Sequence, residues 1–356
     1  MDFQPSSDLA KAAWLPAYYR FSQQQEHTVA ADNITPRSQA GVNASRLADG
    51  TRGALLGLAL GDAVGMPLEF QPRDARTVID MEAGGPFNLE AGDWTDDTSM
   101  ACCLAESLIA CRGFDARHQM ETYCRWHKEG AYTRRGVCFD IGGATRQALE
   151  RFFADGNPYA GSEHPRSAGN GSLMRLAPVP LFFAGDFHQA VHHAGESSKT
   201  THRAAEAIDA CRYFGGLIQG ALHGVDKRAL LDGAYSPTPG YWDAHPLVPA
   251  IAQVDEGSYK HKHRDQISSS GYVVHTLEAA LWAFHRNDDF RSGLLEAVNL
   301  ADDSDTVGAV YGQIAGAYHG ESGLSLDWRD RLFAAQDSYR FAENMLAMQR
   351  NRTSAP

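Results

Sequence analysis

The sequence lacks three things that would have placed it elsewhere: paired CxxC cysteines, an apolar run of membrane length and sustained period-two alternation. Its six cysteines (Cys102, Cys103, Cys111, Cys124, Cys138 and Cys211) fall mostly within helical patterns, where a small buried thiol is the usual explanation. A reducing cytoplasm is the compartment this implies. Ala54 to Val64, the best candidate for a span, is too short and is broken by glycine. Met1-Asp2-Phe3-Gln4-Pro5 lacks the basic start of a secretory signal. Cations are scarce as well: 32 Lys and Arg face 44 Asp and Glu, a formal net charge of -12. That balance argues against nucleic-acid binding, which needs a basic surface to displace counterions. A phosphate-bearing ligand would instead have to meet a local pocket of metal ions and backbone N–H groups. With strand patterning missing, and with 356 residues and 43% hydrophobic content to bury a core, the expected fold is an all-α, compact orthogonal helical bundle.

What is present gathers around two acidic turns. Trp94-Thr95-Asp96-Asp97-Thr98 precedes Met100, Leu104, Leu108 and Cys111 at helical spacing. Asp302-Asp303-Ser304-Asp305-Thr306 precedes Val307, Val310, Tyr311 and Ile314 in the same way. Either turn is also an ordinary helix N-cap. Each supplies several oxygens, fewer than the six that Mg2+ prefers, so a metal reading needs both turns in one place.

Residues 1–46 read as an N-terminal extension rich in Gln, Ser and Ala, with Trp14, Tyr18, Tyr19 and Phe21 clustered in it. Aromatics seek burial, so this arm either packs on its own domain or binds a partner. Beyond it, Gly53, Gly57, Gly61 and Gly65 lie on one helix face and allow another helix close approach, and glycines recur at 308, 312, 316 and 320. Glu69 follows Pro67 between apolar neighbours, where burial would raise its pKa; a solvated loop glutamate is the plainer reading. At most one short strand is expected, around Val78 to Met81. The stretch Gly169-Asn170-Gly171-Ser172-Leu173-Met174-Arg175 removes side chains where a ligand would approach backbone N–H groups, although Gly-Asn-Gly is also common turn chemistry. His202 is placed near a helix N-terminus, whose dipole keeps the ring neutral. His192 and His193 with His202 do not make a zinc motif. Lys260-His261-Lys262-His263-Arg264 reads as a solvated basic loop, Tyr272 opens a helix through Phe284, and the last helix spans Leu332 to Met348.

Gly53-Ala54-Leu55-Leu56-Gly57-Leu58-Ala59-Leu60-Gly61-Asp62-Ala63-Val64-Gly65, Trp94 to Met100, Gly169 to Arg175 and Asn299 to Thr306 follow one another in an order that resembles the ADP-ribosylglycohydrolase family, most closely its bacterial dinitrogenase reductase-activating branch. The resemblance covers about residue 47 to the C-terminus and implies a catalytic domain over 47–356. It implies hydrolysis of the glycosidic bond between ADP-ribose and a protein side chain, most readily arginine, with two Mg2+ or Mn2+ ions at one end of the bundle. The metal ligands it implies are Thr95, Asp96, Asp97, Asp303, Asp305 and Thr306, an all-oxygen set suited to hard cations. Asp97 and Glu69 are the catalytic candidates. Gly169, Asn170, Gly171, Ser172, Met174, His202 and Tyr272 are the candidates for holding the substrate, and Asp62 reads as a structural acid. Ala301 and Asp302 stand where the family often has glycines, adding a methyl group and a third charge. Two alternatives stay open: a protein that counters an ADP-ribosyltransferase toxin by binding it through residues 1–46, and a hydrolase of serine-linked or ester-linked ADP-ribose.

Overall fold

In the computed structural model the described residues are 39–353, and the aromatic cluster of the N-terminal extension lies outside them. They form an all-α architecture in which ten helices of nine or more residues carry the structure. These are α1 (Gln39–Gly65), α2 (Asp96–Cys111), α3 (Ala116–Glu129), α4 (Gly143–Asp155), α5 (Phe187–Lys199), α6 (Ala205–Leu222), α7 (Val273–Arg286), α8 (Phe290–Val298), α9 (Ser304–His319) and α10 (Ala335–Thr353). Among the described residues none is long and apolar enough to cross a membrane.

The centre of the fold is the contact of α1 with α9. The glycine row of α1 meets that of α9 backbone to backbone: a Cβ at Gly53, Gly57 or Gly61 would lie 2.2, 2.2 or 2.0 Å from the carbonyl oxygen of Gly316, Gly312 or Gly308. Gly65 would meet the oxygen of Ser304 at 2.3 Å. Each step of four along α1 is matched by a step of four backwards along α9, so the helices run antiparallel. The C-terminal end of α1 therefore lies beside the N-terminal end of α9, which carries Asp303 and Asp305. Helices α6, α7 and α8 also pack on α9, and α2 lies against α3 and α10.

A buried amide joins this pair to the next layer. Gln313 of α9 donates to the carbonyls of Leu173 (3.1 Å) and Met174 (2.7 Å) and accepts from the Ala177 N–H (2.7 Å). The loop before residue 177 is thereby anchored to the same helix as the second acidic turn. At the end of α1, Pro67 sits in a 3-10 turn (Met66–Leu68), as a proline that stops a helix should.

Three local expectations are corrected. Val78 to Met81 is no strand, because the Asn299 side chain takes up the Val78 backbone, accepting from its N–H (2.9 Å) and donating to its carbonyl (2.8 Å). The last helix begins at Ala335 rather than Leu332, since Leu332 is extended and the Phe333 N–H bonds to the Gly92 carbonyl at 2.9 Å. The basic run is tied down: Lys262 pairs with Glu278 at 2.6 Å and Lys260 donates to the Leu231 carbonyl at 2.5 Å. Of the six cysteines, all free, four are buried.

Gly312→Val should be among the most damaging changes in the chain, because its Cβ would lie 1.9 Å from the Gly57 carbonyl oxygen and backbone has nowhere to yield. Overpacking of this kind costs about 3 kcal/mol or more. Gly185→Ala, with nothing within 4 Å of its Cβ, should be close to neutral. Urea denaturation of the two variants checks the contrast.

Candidate metal centre and ligand cleft

Asp62 is completely buried in α1 and caps a different helix from its own. Its carboxylate accepts from the N–H groups of Thr95 (2.9 Å) and Thr98 (3.0 Å) and from their hydroxyls (3.0 and 2.6 Å). Thr95 occupies the N-cap position of α2 yet makes no side-chain cap of its own. The orphan N–H groups at the start of α2 are thus satisfied from α1, which frees the side chains of the first acidic turn. Asp62 is structural in this geometry, as its place at the helix end suggests.

The two acidic turns meet. The Thr95 hydroxyl lies 3.2 Å from Asp97 Oδ2 and 3.4 Å from Asp305 Oδ2. Glu69, Asp140 and Asp305 each offer one oxygen within 4.8 Å of the others. Glu69 is brought in by a single parallel bridge to Asp302, with the Phe70 N–H on the Asp302 carbonyl (2.7 Å) and the Asp302 N–H on the Gln71 carbonyl (3.0 Å). Ala301 and Asp302 both take left-handed backbone (φ 60° and 61°), the conformation that a glycine would adopt more easily. Asp302 itself is exposed.

Asp140 was not singled out from the sequence. It precedes Ile141-Gly142-Gly143, has left-handed backbone (φ 58°), and an acid just ahead of a glycine pair and a helix start was its one available signal.

Burial and mutual repulsion govern the electrostatics. Glu69 is pushed up to about 9 by burial, then by Asp140, Asp303 and Asp62. Asp140 rises to about 8 by burial, then by Asp62 and Asp303. Burial likewise holds Asp96, Asp97 and Asp305 well above the usual carboxylate range. Asp303 rises less, because Asn170 and Thr306 bond to it. The ion pairs of the described residues go to other carboxylates, among them Asp80, Asp93, Glu106 and Glu278, and none to this group. Glu69 Oε2 and Asp97 Oδ1 are buried without a hydrogen-bond partner. Clustered carboxylates with unmet lone pairs and no protein cation suit a hard divalent cation. The chemistry of the donor set therefore fits a metal.

Glu69, Asp96, Asp140, Asp303 and Asp305 line a cleft of about 320 Å3, with Asp97 outside its lining; the other walls include Gly142, Thr145, Gly169, Asn170, Gly171, Met174, His202 and Thr306. Asn170 donates to Asp303 Oδ2 (2.6 Å) and to the Thr276 hydroxyl (2.9 Å), coupling the glycine loop to the second acidic turn. His202 is neutral as expected, with a different cause: burial and then the Arg175 guanidinium lower it to about 3. Arg175 donates to the Thr201 hydroxyl (2.6 Å), which lies 2.8 Å from His202 Nδ1 and so fixes the ring's orientation. Nε2 faces the glycine loop, 3.4 Å and 3.1 Å from where Cβ atoms at Gly169 and Gly171 would stand. Ser172 points away from the cleft, its hydroxyl 2.8 Å from that of Ser198. Tyr272, bridged to Gly169, lines an adjoining hollow with Arg166 and Glu206.

The family model for ADP-ribosylglycohydrolase matches residues 43–355. The chain belongs to the ADP-ribosylglycohydrolase family. It is 44% identical over 297 residues to the ADP-ribosylarginine hydrolase Tri1 of Pseudomonas putida (strain GB-1), covering 83% of this chain and 78% of that one. It is 29% identical over 298 residues to the ADP-ribosyl-[dinitrogen reductase] glycohydrolase of Rhodospirillum rubrum, covering 80% and 90%. A solved structure titled ADP-ribosylglycohydrolase-related protein complex superposes with a TM-score of 0.75 at 42% identity, covering 85% of this chain and 99% of that one. This is a glycohydrolase, as the four motifs imply.

Asp305→Asn should raise the melting temperature in chelator while abolishing the rise that Mg2+ produces in the parent protein. Relief of about 1 kcal/mol of repulsion corresponds to a shift of roughly 2–4 °C. Thermal melts with and without Mg2+ read both effects. Gly171→Val should displace His202, since a Cβ there stands 2.8 Å from its Cε1, and should weaken ADP-ribose binding by calorimetry while leaving the Mg2+ shift intact.

Proposed function

We propose that the protein hydrolyses the N-glycosidic bond joining ADP-ribose to arginine side chains of proteins, reversing ADP-ribosylation. The observation that carries this reading is the carboxylate cluster lining the cleft, in which Glu69 Oε2 is buried and unpartnered, with a second unpartnered oxygen, Asp97 Oδ1, buried outside the lining. Support for the arginine linkage comes from relatives whose names give that activity, at 44% and 41% identity.

In this reading Thr95, Asp96, Asp97, Asp303, Asp305 and Thr306 hold two Mg2+ or Mn2+ ions, and Asp140 joins them. Such ions, when bound, orient ribose hydroxyls, acidify water and offset charge in the transition state. The remaining work falls to the chain. The open N-terminus of α4, where Gly142 and Gly143 have nothing within 4 Å of a Cβ, offers backbone N–H groups to the diphosphate. His202 Nε2 and the Gly169-Asn170-Gly171 backbone hold the ribose side. Tyr272 closes the adjoining hollow. Ser172 acts on this wall from behind, through Ser198.

Asp97 takes a proton from the attacking water, whose oxygen bonds to the anomeric carbon as the C–N bond breaks. The electron pair of that bond goes to the guanidine nitrogen, which takes up a proton from Glu69. Transfer of the Asp97 proton to Glu69 through solvent resets the pair. The free thiols suit a reducing cytoplasm. The toxin-binding alternative rests on residues 1–46, nearly all outside the described residues, and nothing among the described residues favours it.

The test is to incubate the purified protein with arginine-linked and serine-linked ADP-ribosyl peptides, in Mg2+ and in chelator. Release of ADP-ribose from the arginine linkage alone, lost with chelator, is the expected result. Release from serine alone transfers the activity to the other linkage, and chelator-resistant release rejects the metal assignment.

A further inference from the structure

Between Leu68 and Glu69, both buried, and the solvated Gln71, Phe70 stands 64% exposed. A large aromatic side chain in that position is unusual, and its backbone makes it more so: Phe70 has φ +60°, a conformation L side chains seldom adopt. Two backbone hydrogen bonds join residues 70 and 71 to Asp302, itself left-handed at φ +61°, and hold the ring there. Non-glycine residues kept in such backbone persist where the surroundings over-determine them, and they cluster at ligand-binding sites.

Phe70 and Asp302 share a second property. Both line the metal-centre cleft and also a neighbouring hollow of about 550 Å3, so the two spaces meet at this pair. At the junction Glu69 is 3% exposed, with Oε2 lacking any partner. The hollow's other walls include Arg73, Asp265 and Ser268. Arg73 is engaged with backbone, donating to the carbonyls of Leu300 (3.1 Å), Arg264 (2.8 Å) and Ile267 (2.6 Å). The exposed charged groups left to a ligand are the carboxylates of Asp265 and Asp302. An exposed ring beside carboxylates is the chemistry that recognises a planar cation, which stacks on the ring face and donates paired hydrogen bonds from its edge.

We propose that this hollow is the acceptor-side subsite, in which the Phe70 ring stacks against the guanidinium of the modified arginine while Asp302 pairs with its edge and Asp265 receives basic residues flanking it in the substrate protein. The inference rests on the arginine-linkage reading above and adds the residues that select that linkage. A serine-linked substrate has no cation to place there. Asp302, the acid standing where glycine is frequent in the family, then charges the acceptor side without entering the metal set.

The experiment compares the full chain with Phe70→Ala, Phe70→Leu, Phe70→Trp and Asp302→Asn on an ADP-ribosylarginine peptide in Mg2+. Free ADP-ribose affinity and the Mg2+-induced melting shift are measured alongside. Loss of the aromatic face in Ala or Leu should raise KM by about tenfold, and Trp should keep it within about twofold. Asp302→Asn should raise KM less and flatten its dependence on salt. ADP-ribose affinity and the Mg2+ shift should be unchanged in all four. Phe70→Leu, which keeps bulk, guards against misfolding of the Ala variant. An active parent protein with KM unchanged in both Ala and Leu overturns the subsite alone. Equal loss in Leu and Trp, or a parallel loss of ADP-ribose affinity, overturns it too. A parent protein inactive on arginine overturns the functional reading first and the subsite with it.

Discussion

Close approach of α1 and α9 is the constraint on which the remaining geometry depends. Side chains normally hold helix axes about 8–10 Å apart. Here rows of glycine let carbonyl oxygens of one helix stand where the other would carry Cβ atoms, about 2 Å from each position. The contact fixes distance; both rows repeat every four residues, so register rests on the ends of the rows, where Gly65 meets Ser304 and Gly53 meets Gly320. With that alignment set, Asp62 reaches the start of α2, Glu69 leaves the end of α1 beside Asp302, and Asp305 starts α9 within reach of Thr95. A slide of one turn, about 5.4 Å, would separate the acids by more than a coordination distance.

The acids oppose the fold that assembles them. Six carboxylates in and around one cleft, several driven far above their ordinary range, make a repulsive centre that the surrounding helices must hold closed. Two devices limit the damage. Asp62 directs its charge into hydrogen bonds from four donors at the start of α2, which hold it to about 6 despite complete burial. Asn170 bonds Asp303 and so joins the ligand loop to the metal side. The unpartnered oxygens of Glu69 and Asp97 are what remains for a cation to neutralise.

Much of this was readable in the sequence where spacing carries information. Helical periodicity set α2, α7 and α9 to within a few residues, and both glycine rows announced a face built for close approach. What spacing withholds is the partner: a row at every fourth residue defines a face, and two such rows in one chain pair only by tertiary packing. Asp140 escaped for a related reason, since it lies in a loop with no periodicity, and its membership is a matter of where the Gly142-Gly143 turn sits in space. Val78 to Met81 looked like a strand because β-branched residues seek extended backbone, but a side-chain amide satisfied that backbone where a strand would have. His202 was read as neutral through a helix dipole, while burial next to Arg175 is the stronger effect, and that required knowing which cation lay behind it.

The metal centre and the ligand walls are specified by different kinds of structure. Asp96, Asp97, Asp303 and Asp305 are held by helix ends set through the glycine contact, whereas Glu69, Asp140 and the walls lie in loops, clipped in places by single bridges: Glu69 to Asp302, Gly169 to Tyr272 and Ser162 to His202. A single bridge constrains backbone position and leaves side chains free to differ, so residues such as Phe70 and Tyr272 can change without disturbing the helix register that places the carboxylates. In the reaction proposed, bond cleavage at the anomeric carbon draws on the helix-held acids with Glu69, and selection among linkages on what the loops present. A family built this way can keep one reaction centre while its loops move from one modified side chain to another. In the reading proposed, the linkage is therefore set by loop residues such as Phe70 more than by the acidic motifs that identify the family.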